Sequence, residues 1–221
     1  MSDIVIFGAG QIAEVAKVYI DAHPEHRIVG FTVDAQYATA DSFHGLPLVP
    51  WEDLESVFPP GQIELLGPLS YRRLNEFRRD RYLEGKARNY RFASFIHPNS
   101  HIYTTDIGEN CFILEANVIQ PFAKIGNDVI MWSGNHIGHH SIIGDHCFLA
   151  SHVGIAGATR IGDGCFLGGK VGIKEGLTIG PACLLSFGVI VTKDLPPGSV
   201  VLRGIEDRVA PFPSSRMRGM L

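Results

Sequence analysis

Charge is scarce in this chain. Asp, Glu, Lys and Arg make up 19% of its residues, against about 25% in an average globular domain. Nineteen basic against 23 acidic residues leave a net charge of -4, which excludes a globally basic nucleic-acid binder, so no nucleic-acid partner is expected. No apolar run reaches the ~18 residues of a transmembrane helix, and stable membrane insertion is not expected. Cysteine is sparse, with four in 221 residues, and no basic segment precedes Ile4-Val5-Ile6-Phe7. Reduced thiols and a cytoplasmic location are therefore expected rather than a disulfide framework. What is present is a 45% hydrophobic content with 25 glycines and 13 prolines, a composition that suits repetitive, turn-rich structure.

The first hundred residues alternate strand and helix signals. Ile4-Val5-Ile6-Phe7 is a continuous apolar run suited to a buried parallel strand. It is followed by Gly8-Ala9-Gly10 and then by a helical stripe from Ile12 to Ile20. Ile28 to Val33 forms a second strand ending at Asp34. Leu46 to Val49 and Ile63 to Leu66 are weaker strands, Trp51 to Val57 a short helix, Tyr71 to Arg88 a polar-faced helix, and Arg91 to Ile96 a last strand. This order predicts a small parallel βαβ sheet over residues 1–97.

Beyond residue 100 the pattern changes. Every sixth residue from Ile107 to Val191 is aliphatic or methionine, without an insertion. A second phase four residues later is mostly small or β-branched, from Cys111 and Asn117 to Cys183 and Val189. This period is the signature of a left-handed parallel β-helix of hexapeptide repeats, a three-faced prism in which three hexads complete one coil. It is expected over 98–202, with a C-terminal tail at 203–221. Glycines at 108, 126, 138, 144, 162, 168 and 180 follow the anchors, where a tight corner favours them. The four cysteines are separated by whole coils and are expected to stack inside, on the face of Ile107 and Ile125.

Five of the ten histidines lie between Asn135 and His152. The first and fifth positions of each hexad point inward, so His136, His139, His140 and His152 are on the outer surface or at corners. A histidine there suits proton transfer at neutral pH. Gly8-Ala9-Gly10-Gln11-Ile12-Ala13 is a G-x-G-x-x-A turn between strand and helix, the context needed for phosphate or ribose contact. Residues 71–91 hold eight basic residues against three acidic ones, a pattern that fits a solvated helix face or an anion-attracting surface.

The glycine-turn βαβ unit, the strand ending in Phe95-Ile96-His97-Pro98-Asn99-Ser100 and the uninterrupted hexads together resemble the bacterial nucleotide-sugar N-acetyltransferases. These are the enzymes of the bacillosamine, perosamine and viosamine pathways, to which sialic-acid O-acetyltransferases are related. The resemblance implies acetyl transfer from acetyl-CoA, with no metal, to the amine of a nucleotide-linked amino-dideoxy sugar in surface-glycan (O-antigen) biosynthesis. A 4-amino-4,6-dideoxy sugar on UDP or dTDP is implied, with GDP as an option, and a homotrimer with acetyl-CoA held between neighbours. It places the catalytic base on His139 of Ile137-Gly138-His139-His140-Ser141. Relatives have an acidic residue next, which orients the imidazole; here that position is His140, leaving Asn135 or Asp145 as candidate orienting residues. His136 and His152 are rival bases and, with His140, candidates for substrate contact. Gly157 is implied as the oxyanion donor. Gly168, Gly169, Lys170, Lys174 and Arg203 are implied along acetyl-CoA, and Gly8, Gly10, Gln11 and Asp34 around the nucleotide. The tail departs from the family's usual ending at Arg203-Gly204-Ile205-Glu206-Asp207.

Two other readings compete. One is a zinc hydratase of the carbonic-anhydrase kind on the same β-helix, with His136, His139 or His140, and His152 as ligands. The other is a noncatalytic trimeric scaffold whose N-terminal domain binds nucleotides.

Overall fold

The computed structural model describes residues 2–23, 25–67 and 70–204. Its N-terminal part is a six-stranded sheet ordered β3-β4-β2-β1-β5-β6. The strands are β1 (Ser2–Phe7), β2 (His26–Val33), β3 (Ser42–Phe43), β4 (Leu46–Pro50), β5 (Glu64–Leu66) and β6 (Arg91–Phe92). β1 is flanked by the parallel strands β2 and β5, and Ile4, Val5 and Ile6 are fully buried, which explains its unbroken apolar run. β3 runs antiparallel to β4. Helix α1 (Gln11–Asp21) lays Ala13, Ala16 and Ile20 on the sheet. Two further helices follow, α2 (Leu54–Val57) and α3 (Glu76–Ala87).

α3 begins at Glu76 and not at the expected Tyr71, because Arg73, Leu74 and Asn75 all adopt left-handed backbone angles (φ 52, 52 and 67°). The last expected strand is also divided. β6 pairs with β5, whereas Phe95–Ile96 pairs with Phe112–Ile113 of the prism, so the handover falls at Ala93-Ser94 and not after residue 97.

From there the chain winds as a left-handed parallel β-helix. One face carries seven strands, from Phe95–Ile96 to Val200–Val201; a second carries six, from His101–Ile102 to Ile190–Val191; the third carries four, from Lys124–Ile125 to Thr178–Ile179. Pairing advances by three hexads, as in Val118↔His136↔Gly154. At the two ends the step is shorter than three hexads, at Phe95↔Phe112 and at Leu184↔Val200, and for this reason strict counting in sixes misses the terminal rungs. Apart from the half-buried Leu177, both inward phases are buried from Cys111 and Ile113 to Val189 and Val191, and each buried aliphatic contributes about 1.5–3 kcal/mol. Interior polar groups are satisfied along the axis: Asn117 Oδ1 accepts from Asn135 N–H (3.1 Å), and Asn135 Oδ1 accepts from Val153 N–H (2.8 Å).

The corners differ from expectation in one respect. Every sixth residue from Asn110 to Gly188 has a left-handed φ, and this position lies two places after the glycines that follow the anchors. Those glycines answer a different demand: a Cβ on Gly138 would meet Gly157 N at 2.5 Å, and one on Gly162 would meet Pro181 N at 2.5 Å. Coils stack too closely there for a side chain. The left-handed position takes His140, His146 and His152 in succession, and histidine is among the residues enriched there. Backbone geometry thus accounts for part of the histidine cluster.

The cysteines are buried free thiols. Their carbonyls accept from Phe95, Ile130, Phe148 and Phe166 N–H groups, so the ladder belongs to the seven-stranded face and not to the face of Ile107. Burial pushes the Cys111 thiol up to about 12.

The N-terminal domain sits on the seven-stranded face. Outward-facing Phe112, Phe148 and Phe166 join the same apolar cluster as Ile4, Ala13 and Phe31, and Tyr71 packs on Phe148 and Phe166 at 5.1 and 4.8 Å. The expectation of a solvated basic helix fails at Arg78, whose side chain is wholly buried against Asp128 (3.1 Å). Arg78 also donates to the carbonyls of His146 (2.8 Å) and Cys147 (3.1 Å). Asp128 in turn accepts from Asn110 and contacts His146 Nδ1, both at 2.8 Å.

Candidate active site

The candidate residues fall on three separate places. The first is the corner between the six- and four-stranded faces. His139 stands there, exposed, with its backbone N–H donating to Gln120 Oε1 at 2.9 Å. Its ring lies against Gly157 one coil on: a Cβ on Gly157 would meet His139 Cε1 at 2.6 Å and Nε2 at 2.8 Å. The Gly157 N–H has no hydrogen-bond partner among the described residues. A proton acceptor and a free backbone donor are therefore side by side, the pairing that acyl transfer requires. Lys174 is exposed at the same corner one coil further along.

His139 Nδ1 lies 3.2 Å from His140 Nδ1. Neither candidate orienting residue reaches it. Asn135 is buried inside the prism, its amide donating to Trp132 O. Asp145 Oδ1 accepts from Asn127 N–H at 2.7 Å, within a ladder that continues from Asp145 N–H to Asp163.

The second place is the corner between the seven- and six-stranded faces. His152 packs there on Gly134, where an added Cβ would meet His152 Nδ1 at 2.5 Å. Gly169, Lys170 and Arg203 gather nearby. Lys170 Nζ is 5.9 Å from the centre of the Phe187 ring, a Cβ on Gly169 would touch that ring at 3.2 Å, and Arg203 N–H donates to Ser186 Oγ. The residues expected along acetyl-CoA are thus divided between two edges of one chain. His136 points outward from the six-stranded face, between Val118 and Gly154. The three histidines of the zinc reading are not brought together, and among the described residues no group of three His, Cys, Asp or Glu side chains could hold a metal ion. Residues 205–207, quoted for the unusual ending, lie outside the described residues.

The third place is a cavity of 420 Å³ in the N-terminal domain, lined by Gly8, Gly10, Gln11, Val33, Asp34, Tyr37, Ser70, Arg72 and Phe77 among others. It opens at the start of α1, where exposed N–H groups favour an anion. Asp34 is buried, and its Oδ1 accepts from Arg81 Nε at 2.8 Å. Arg72 and Arg81 hold their guanidinium carbons 5.5 and 5.3 Å from the Phe77 ring centre. Sequence reasoning finds the glycine turn and Asp34, counts Arg72 and Arg81 only within the basic segment 71–91, and misses Phe77. It also misses Gln120, which lies 19 residues before His139, one place off the step of three hexads, so the register alone does not reveal it.

Comparison with known proteins agrees with this architecture. Residues 122–157 match the bacterial transferase hexapeptide model (six repeats), and residues 158–193 match the hexapeptide repeat of succinyl-transferase. No curated protein matches the chain by sequence. Among solved structures, the acetyltransferase domain of PglB from Neisseria gonorrhoeae superposes with a TM-score of 0.81 at 21% identity, covering 90% of this chain and 96% of that one. PerB from Caulobacter crescentus, solved with CoA and GDP-perosamine, gives 0.79 at 22% identity, covering 90% and 93%. WeeI from Acinetobacter baumannii gives 0.59 at 19% identity, covering 92% and 97%.

Proposed function

We propose that the protein is an acyltransferase that moves an acetyl group from acetyl-CoA to the amine of a nucleotide-linked amino sugar. The observation that carries this reading is His139 seated on Gly157, with the Gly157 N–H free, in a chain that also holds a glycine-lined cavity large enough for a nucleotide. PglB and PerB, similar in fold, are an acetyltransferase domain and a protein solved with CoA and GDP-perosamine. The substrate is a 4-amino-4,6-dideoxy sugar on a UDP, dTDP or GDP carrier, used in the cytoplasm to build a surface glycan such as O-antigen.

In this mechanism the amine attacks as the neutral base. As the C–N bond forms, His139 Nε2 accepts the proton that the nitrogen sheds. The Gly157 N–H donates to the oxygen on which negative charge develops. When the C–S bond breaks, His139 returns its proton to the departing sulfur, giving free thiol and amide. The cavity around Gly8, Gly10, Gln11 and Asp34 anchors the nucleotide, and binding energy gathered there positions the amine.

His139 lies at one edge of the prism, whereas Lys170 and Arg203 lie at another and the nucleotide cavity belongs to the domain packed on the seven-stranded wall. A homotrimer, in which edges of neighbouring copies face each other, reunites these parts. Offering acetyl-CoA with a panel of nucleotide amino sugars and following thiol release tests the reading. Release with a 4-amino-4,6-dideoxy sugar supports it. Silence across the whole panel, or turnover only with hydroxyl acceptors, overturns it. Light scattering should give three times 24.2 kDa.

A further inference from the structure

We infer that His139 and His140 form a functional pair, in which the neutral imidazole of His140 takes the place of a carboxylate and sets the tautomer of His139. The inference rests on the function proposed above and goes beyond it by naming the positioning residue and its consequence for the acceptor.

Five contacts fix the pair. The two Nδ1 atoms are 3.2 Å apart with the rings nearly perpendicular, at 84°. The His140 ring packs against Phe122, with centroids 4.7 Å apart and planes inclined by 35°. His140 also occupies the left-handed corner position (φ 59°), with its N–H directed to Pro121 O at 3.3 Å. His139 is held from below by Gly157 and through its backbone N–H by Gln120. Among the described residues no carboxylate is hydrogen-bonded to His139.

A contact between two ring nitrogens holds a single proton, one nitrogen donating and the other accepting. Nε2 of His139 must be bare to act as a base, so the shared proton belongs to His139 Nδ1 and is donated to His140 Nδ1. His140 then carries its own proton on Nε2. This arrangement orients the base and adds no negative charge beside it. An amine acceptor suits such a site, because its nitrogen becomes strongly acidic once the C–N bond forms and sheds its proton to a modest base. A hydroxyl acceptor must give up its proton as it attacks and relies on a stronger base. The pair therefore selects amine over hydroxyl acceptors.

The test uses full-length protein labelled with ¹⁵N-histidine. In the wild type without substrate, long-range ¹H–¹⁵N spectra should show His139 protonated at Nδ1 and bare at Nε2. His140→Asn tolerates the left-handed corner and offers an accepting oxygen, so it should keep the His139 tautomer and most of the kcat. His140→Leu offers no acceptor; it should return His139 to a tautomer mixture and lower kcat about 10–10²-fold at unchanged KM. Turnover on an amino sugar should exceed that on its matched hydroxyl sugar. The pair is overturned if wild-type His139 is protonated at Nε2, or if the Leu and Asn variants agree in both tautomer and kcat. The spectra need no substrate, so the expected tautomer together with a silent acetyl-transfer panel overturns the proposed reaction while supporting the pair.

Discussion

Replacing Gly157 with alanine isolates the placement of the base from the stability of the fold. The new Cβ would sit 2.6 Å from His139 Cε1, and reaching ordinary contact at 3.4 Å requires the ring to move by about 0.8 Å. The backbone at 157 is not in the left-handed region, so alanine meets no conformational penalty, and the exposed ring can swing away without disturbing the core. The cost should fall on chemistry. A displacement near 1 Å lowers rate by about 10²-fold, equivalent to about 2.7 kcal/mol of barrier. Gly154→Ala on the same coil is the control, since its Cβ would meet nothing within 4 Å. Steady-state thiol release should give kcat reduced about a hundredfold for Gly157→Ala and near wild type for Gly154→Ala, with both melting within a few degrees of the parent. Equal activity in the two variants would refute the assignment of His139 as a base packed on Gly157.

Other outcomes follow from the same geometry. Arg78→Met leaves Asp128 buried without its cation and should lower unfolding free energy by about 3–5 kcal/mol in denaturant titration; a loss under about 1 kcal/mol would show that the buried pair adds little. Asp34→Asn removes the carboxylate that Arg81 holds in the cavity, so KM for the nucleotide sugar should rise with KM for acetyl-CoA unchanged, and a rise in both would place Asp34 outside nucleotide recognition. With Cys111 pushed up to about 12 and all four thiols buried, an aromatic disulfide reagent at pH 8 should label none in the native protein and four in denaturant. Rapid native labelling of any one would mean that the prism opens.

The β-helix is legible because its rule is strictly periodic: one anchor in every hexad, read directly from Ile107 to Val191. Its ends are not, since the shortened steps at Phe95 and Val200 leave the period. The reason for the glycines is hidden as well, because contact between successive coils leaves the same mark on composition as a strained turn. At the candidate site, His139 is reached through resemblance and phase together. Its partner cannot be read from residue type, since Asn135 and Asp145 both look suitable; the hexad phase already turns Asn135 inward, and only the structure shows Asp145 tied to Asn127. The helix from Glu76 hides Arg78 and Arg81 among other cations, which sequence cannot sort into buried and solvated.

One coil takes three hexads, so position along this sequence is also an angle around an axis, and one hexad equals a third of a revolution. The protein can therefore change reach only in whole turns. Inserting three hexads beyond Ile155 would lengthen the prism and keep every outer surface aligned. Inserting one would carry everything downstream round by one wall, so that Phe166 no longer met Tyr71 and the edge bearing Lys170 faced another direction. Length and orientation are geared together, and the gear has three teeth.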